Sequence, residues 1–220
     1  MNRTQFHGNT FLFINKNANE FSLPKESNEV DLTMYYKEIE KPSNDTRKQY
    51  SCEFFNKDGS EASLCGNALL RLIEIEGVGH YVFHTISGLY EAWNNENEIG
   101  LLMKKAKIKD SPNCITKSFH VEIGNKHIVM FYEHVIDEGY FFKHIRGSWT
   151  ESNIHEVIQH NTNTFKVRCF ERGVGETQAC GSGAYAVGIS MIKYFKLSEV
   201  NIIMKGGEYF VKDRFLIVKK

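Results

Sequence analysis

One short pattern occurs twice in this chain and constrains it more than any other feature. "DGSEASLCGNALL" (Asp58–Leu70) and "GVGETQACGSGAY" (Gly173–Tyr185) both read Glu, three residues, Cys, Gly and a small polar residue. The two copies are Glu61-x-x-x-Cys65-Gly66-Asn67 and Glu176-x-x-x-Cys180-Gly181-Ser182, close to half the chain apart. The segments after the two cysteines are also alike. "ALLRLIEIEG" and "GAYAVGISMIKYF" are long and apolar enough to be helices, and the second is apolar nearly all round, which demands burial on every side. A cysteine among glycines at the start of such a run is placed where backbone comes close to something small. The simplest reading is two homologous halves, each with a cysteine at the N-terminus of a central helix.

The rest of the chain reads as strands. "FLFI", "YSCEFF", "HYVFHT", "HIVMFY", "EGYFFKHI", "FKVRCF", "VNIIM" and "RFLIV" are short and rich in β-branched and aromatic residues. "NKDGS" and "KGGE" supply turn signals between them. The expected architecture is α+β: two pseudo-symmetric domains, residues 1–110 and 111–220, each a mostly antiparallel β-sheet or barrel wrapped around a central helix, with an active site in the cleft between them. "KDSPN" (Lys109–Asn113) is the expected linker, and the last strand is free to return to the N-terminal half.

Composition narrows the partners. Of 220 residues, 41% are hydrophobic and 13% aromatic, enough for a proper core. Lys plus Arg equals Asp plus Glu at 27 each, so nucleic acid and anionic membranes have no electrostatic footprint here, and a small molecule is the expected partner. The start, "MNRTQFHGNTFLFIN", has no signal-peptide h-region, and no apolar run is long enough to span a bilayer. Five cysteines without CxxC pairs fit neither a disulfide framework nor a zinc ribbon, so a reducing cytoplasm is the expected home. Cys52, Cys114 and Cys169 lie in or beside strand-like runs and read as small buried hydrophobes.

A thiol at a helix N-terminus meets unpaired backbone N–H groups, which favour thiolate and also bind a carboxylate where glycine allows its approach. Two such ends facing one cleft suit proton removal at one face of a carbon and redelivery at the other. That is racemase or epimerase chemistry beside a carboxylate, with one cysteine thiolate, the other thiol, and the states exchanged each turnover. No cofactor or metal is needed, and no Rossmann or P-loop fingerprint is present.

With these motifs in place, the residues resemble the diaminopimelate epimerases and their cofactor-independent amino-acid racemase relatives. "FFNKDGSEASLCGN" is similar to the family's first cysteine motif and "ERGVGETQACGSGA" to its second. "HGNTF", "GNKH", "SNIHEV" and "KGGEY" resemble shorter family motifs in the family's order. The resemblance implies Cys65 and Cys180 as the acid/base pair on opposite faces of the α-carbon, Cys65 taking the proton from the L,L substrate. It implies backbone N–H groups near Gly66, Asn67, Gly181 and Ser182 on the reacting carboxylate, and His127 and Glu171 orienting or tuning the catalytic centre. Asn9, Asn56, Asn125, Asn153 and Arg172 are implied to grip the substrate, with the Arg172 fork suited to a distal carboxylate. A homodimer is implied as well.

The chain departs from the family pattern. Thr10, Lys126, Ala68 and Tyr185 replace family residues, and "LPKESNEVDLTMYYKEIEK" stands where a glycine-rich segment is usual. The leading expectation is interconversion of L,L- and meso-diaminopimelate. The alternatives are a two-cysteine racemase on another amino acid, such as histidine, or a non-enzymatic amino-acid-binding homologue. A thiol switch joining Cys65 to Cys180 reads as inactivation rather than function.

Overall fold

The computed structural model describes residues 1–16, 25–111, 117–132, 151–172 and 174–220. Cys114, the strand-like "EGYFFKHI", and Pro112 and Asn113 of the expected linker lie outside the described residues. The remaining linker residues are not a linker: Lys107–Ser111 is a strand laid antiparallel on its successor.

The fold is mostly β-sheet with few helices. Its described strands are β1 (Asn2–Phe6), β2 (Asn9–Asn15), β3 (Leu32–Glu38), β4 (Lys48–Asn56), β5 (Glu61–Ala62), β6 (Gly79–Thr85), β7 (Gly88–Asn94), β8 (Glu98–Leu102) and β9 (Lys107–Ser111). They continue with β10 (Lys117–Ile123), β11 (Asn125–Tyr132), β12 (Asn153–Gln159), β13 (Thr164–Glu171), β14 (Gly175–Thr177), β15 (Glu199–Met204), β16 (Gly207–Lys212) and β17 (Phe215–Lys219). Helix α1 is Gly66–Glu76 and helix α2 is Gly181–Phe195.

The ladders of the first half recur in order in the second. β1 pairs with β2, β2 runs parallel to β3, β3 pairs with β4, β4 with β5, and β4 runs parallel to β6, followed by β6–β7 and β7–β8. Likewise β10 pairs with β11, β11 runs parallel to β12, β12 pairs with β13, β13 with β14, and β13 runs parallel to β15, followed by β15–β16 and β16–β17. β17 also pairs antiparallel with β8, joining the two runs.

Local sequence explains these elements. β15, "EVNIIM", alternates half-buried and buried positions with the period of two that a pleated strand imposes. The expected "NKDGS" and "KGGE" turns close the β4–β5 and β15–β16 hairpins. Helix α2 buries residues all round its first three turns, packing against β10, β11, β12, β15, β16 and β17. Helix α1 is amphipathic: Leu69, Leu70 and Ile73 are buried while Arg71 and Glu74 pair on its outer face. It packs against β1, β7, β8 and α2. Among the described residues no helix is long and apolar enough to cross a membrane.

Candidate active site

Each cysteine is the N-cap of its helix, in nearly the same extended conformation: φ −129°, ψ 102° at Cys65 and φ −137°, ψ 110° at Cys180. A short hairpin delivers each one, β4–β5 before Cys65 and β13–β14 before Cys180. At the second start the thiol takes the capping role that a serine or aspartate oxygen usually fills. Cys180 Sγ accepts from the Gly183 N–H at 3.4 Å, whereas Cys65 makes no side-chain cap hydrogen bond.

The two helix N-termini abut. A Cβ on Gly181 would lie 2.6 Å from Asn67 Oδ1 and 3.1 Å from Asn67 N, and one on Gly66 would lie 3.5 Å from Ser182 N. Glycine at position 181 is therefore what lets the ends meet. Both cysteines line one inner pocket of about 60 Å³, together with Asn9, Gly66, Asn67, Gly181 and Ser182. It adjoins a more open cleft of about 310 Å³ that Lys126, Glu151, Asn153 and Arg172 line. Asn56, Cys65, Asn125 and Glu171 line both.

The cleft's polar walls are braced. Asn125 Oδ1 accepts from Ser63 Oγ at 3.0 Å and its Nδ2 donates to the Leu64 carbonyl at 3.4 Å, tying β11 to the segment before Cys65. Asn56 Nδ2 donates to Ser60 Oγ at 3.0 Å within its hairpin. Asn153 Oδ1 accepts from the Arg172 N–H at 2.9 Å and so fixes the turn carrying that guanidinium. Arg172 Nη1 lies 3.6 Å from Glu151 Oε2, both side chains well exposed.

Burial controls the titrating groups. Loss of water pushes the Cys65 thiol up to about 12, opposed by the Ala68 and Asn67 N–H groups and reinforced by the charges of Glu171 and Asp31. Cys180 is pushed well above its usual value, first by burial and then by the Glu171 charge. Burial also raises the Glu171 carboxyl; hydrogen bonds from Thr177 and Cys180 oppose this, and the Asp31 charge reinforces it. Both thiols are therefore protonated at neutral pH in this structure.

His127, expected to orient or tune the catalytic centre, stands behind the cleft rather than in it. It lies two residues beyond Asn125 on β11, fully buried, with Nδ1 2.9 Å from Nε2 of His155. His155 in turn fills the space over the first turn of α2, where a Cβ on Gly183 would lie 2.2 Å from its Cε1. Burial drops His127 to about 3 and His155 well below its usual value, so this is a neutral pair packed beneath the helix end.

Several cleft residues escape the sequence reading. Asp31 lines the inner pocket and accepts from the Thr10 N–H and hydroxyl at 2.7 and 2.8 Å; it sits in the stretch that lacks a recognisable motif. Thr177 Oγ1 donates to Glu171 Oε1 at 2.8 Å, and its place inside the second cysteine motif is a signal that could have found it. Met204 Sδ accepts from the Cys180 N–H at 3.4 Å, and Tyr209 reaches Asn67. Among the described residues no cluster of His, Cys, Asp or Glu has the makings of a metal site.

No family model matches the chain. A diaminopimelate epimerase of Aquifex aeolicus is 32% identical over 84% of this chain and 72% of its own length. A diaminopimelate epimerase of Flavobacterium psychrophilum is 30% identical, covering 75% and 69% respectively. Among solved structures, a PhzF-family phenazine biosynthesis protein of Bacillus anthracis superposes with a TM-score of 0.62 at 13% identity over 89% of this chain and 85% of its own. A hydroxyproline epimerase of Agrobacterium vitis, bound to trans-4-hydroxy-L-proline, gives 0.57 at 10% identity over 84% and 72%. These distant likenesses establish the fold; the closer sequence relatives establish that the chain belongs to the diaminopimelate epimerase family, and with it to the isomerases.

Proposed function

We propose that the chain interconverts L,L- and meso-diaminopimelate by two-base proton transfer between Cys65 and Cys180, without a cofactor. The observation that carries this reading is the shared inner pocket: two N-cap cysteines, on helix ends that abut, with room between them for little more than one reacting carbon and its carboxylate. The pairing order of β1–β8, repeated by β10–β17, supports two pseudo-symmetric domains divided near residue 110, with the site where their helix ends meet.

On this reading the N-terminal N–H groups of α1 and α2 bind the reacting carboxylate and stabilise charge as it spreads from the α-carbon. Cys65 Sγ, as thiolate, takes the α-proton of the L,L substrate. Cys180, as thiol, gives a proton to the opposite face and becomes thiolate; the return reaction reverses both transfers. Glu171, whose charge raises the Cys180 thiol, tunes it. Asp31 and Glu171 place negative charge beside an α-ammonium, whose own charge offsets the penalty on the thiolate. Arg172, with Asn153 holding its backbone, stands in the outer cleft for a distal carboxylate. His127 acts through His155 on the seating of α2 rather than on substrate.

The test is reduced protein in D2O with L,L-diaminopimelate, following α-deuterium incorporation and meso product, beside Cys65→Ala and Cys180→Ala. Exchange that is lost in both variants supports the assignment. Absence of exchange rejects diaminopimelate; exchange with another amino acid in the same assay assigns a related racemase instead.

A further inference from the structure

Tyr209 lies on β16, far in sequence from every cysteine-motif residue of the first half, yet it ends directly behind Asn67, which lines the inner pocket. Its hydroxyl is 2.6 Å from Asn67 Oδ1. Asn67 Nδ2 is 2.8 Å from Asn9 Oδ1 and 3.5 Å from the Ala179 carbonyl. All three side chains are buried: Tyr209 is 1% exposed, Asn67 2% and Asn9 8%.

The polarity of this chain is determined. A backbone carbonyl can only accept, so the Asn67 amide must turn its nitrogen toward Ala179 and Asn9 and its oxygen toward Tyr209. The phenol must then donate. The Asn9 oxygen accepts from Asn67, so Nδ2 is the donor that this pocket-lining side chain can offer. Beside it are the N-terminal turns of α1 and α2, which also offer only N–H donors to a ligand. Burial holds the Tyr209 hydroxyl well above its usual value, so its proton is present at any working pH.

We propose that Tyr209 is a positioning residue which, through Asn67, fixes Asn9 as a donor toward the substrate carboxylate. Asn9 and the helix ends thereby present donors to the pocket, while Asp31 and Glu171, which also line it, present acceptors. This arrangement selects one orientation of an amino-acid head: carboxylate toward the helix ends, ammonium toward the two carboxylates. The inference rests on the epimerase reading for its kinetic consequences, but the hydrogen-bond chain itself does not.

The test is a cycle of Tyr209→Phe, Asn9→Ser and the double variant, assayed by α-proton exchange, with the Asn9 and Asn67 side-chain amide signals followed by NMR. Tyr209→Phe is expected to lower kcat/KM about 10- to 100-fold, the scale of a bond to a charged group. The same change is expected to have less than about a twofold effect in the Asn9→Ser background, because the residue it acts through is gone. Asn9→Asp, which still accepts from Asn67 but offers the pocket no donor, is expected to cost at least as much as Tyr209→Phe. Equal effects of Tyr209→Phe in both backgrounds would mean a merely structural role and overturn the proposal. If the parent protein exchanges no amino acid, the epimerase reading fails and the amide signals decide. Loss of the slow-exchanging Asn67 and Asn9 amides in Tyr209→Phe sustains the relay, and unchanged signals refute it.

Discussion

The two glycines that come directly after the cysteines occupy equivalent places in the repeated motif, but the structure makes them unequal. At Gly66 an added Cβ meets Ser182 N at 3.5 Å, an ordinary contact. At Gly181 it meets Asn67 Oδ1 at 2.6 Å and Asn67 N at 3.1 Å. That oxygen is no flexible tip, because Tyr209 and Asn9 hold its amide. Relief requires breaking a buried hydrogen bond, or prising the helix ends apart. Overpacking of this kind costs about 1–3 kcal/mol, and a stranded buried polar group about 1–3 kcal/mol more. The better helix propensity of alanine returns up to about 1 kcal/mol. Gly181→Ala is therefore expected to destabilise by roughly 1–6 kcal/mol, a fall in Tm of about 3–18 °C for a chain of this size. Gly66→Ala should stay within about 0.5 kcal/mol of the parent. Thermal and urea unfolding of both variants, beside the exchange assay, makes the comparison. Equal damage from the two substitutions would refute the claim that the ends are in contact on one side and merely adjacent on the other.

Three further outcomes are expected. Thr177→Val removes the hydroxyl that steadies Glu171 and holds its carboxyl down, so the acid limb of the pH–rate profile should move to higher pH; an unmoved limb would separate Glu171 from turnover. The His127–His155 pair is held neutral, so the unfolded chain takes up protons that the folded one refuses as pH falls below 6.5. Between pH 7.5 and 5.5 the pair should cost roughly 2–3 kcal/mol of stability, read by urea unfolding, and His155→Gln should reduce that pH dependence by about one proton. Arg172→Gln breaks an exposed pair with Glu151 and should alter stability by less than about 1 kcal/mol. It should raise KM only for substrates with a distal carboxylate; an equal rise for single-headed amino acids would take Arg172 out of recognition.

The parts of the site legible in sequence were those that a local pattern encodes. A cysteine preceded by a hairpin signal and followed by glycine and an apolar run is a helix start wherever it falls, and both starts were found. The strands with dense aromatic and β-branched content, β4, β6, β11, β13 and β15, were legible for the same reason. β3 was hidden in a stretch read mainly for its missing glycines, and β7, "GLYEAWN", is broken by a glutamate that faces outward. Parallel pairings such as β2–β3 and β13–β15 leave no local trace, since the partner lies beyond an intervening helix or loop. Tyr209 and Asp31 were illegible because their importance lies in what they touch, Asn67 and Thr10, rather than in their neighbours along the chain. His127 shows the converse: its motif is local and legible, but its contact with His155, which packs against Gly183 at the start of α2, is visible only in the structure.

The β8–β17 ladder has a consequence for how the polypeptide reaches this state. Until Phe215–Lys219 is available, β8 presents its outer backbone N–H and C=O groups with no strand to receive them. The first half can gather around α1 early, but it must wait with an open edge while the rest of the chain is made and arranged. Pairing across so much intervening sequence is slow, because loop closure is charged before contacts form. The β8 edge is thus one that a chain lacking Phe215–Lys219 leaves open to pairing with another copy.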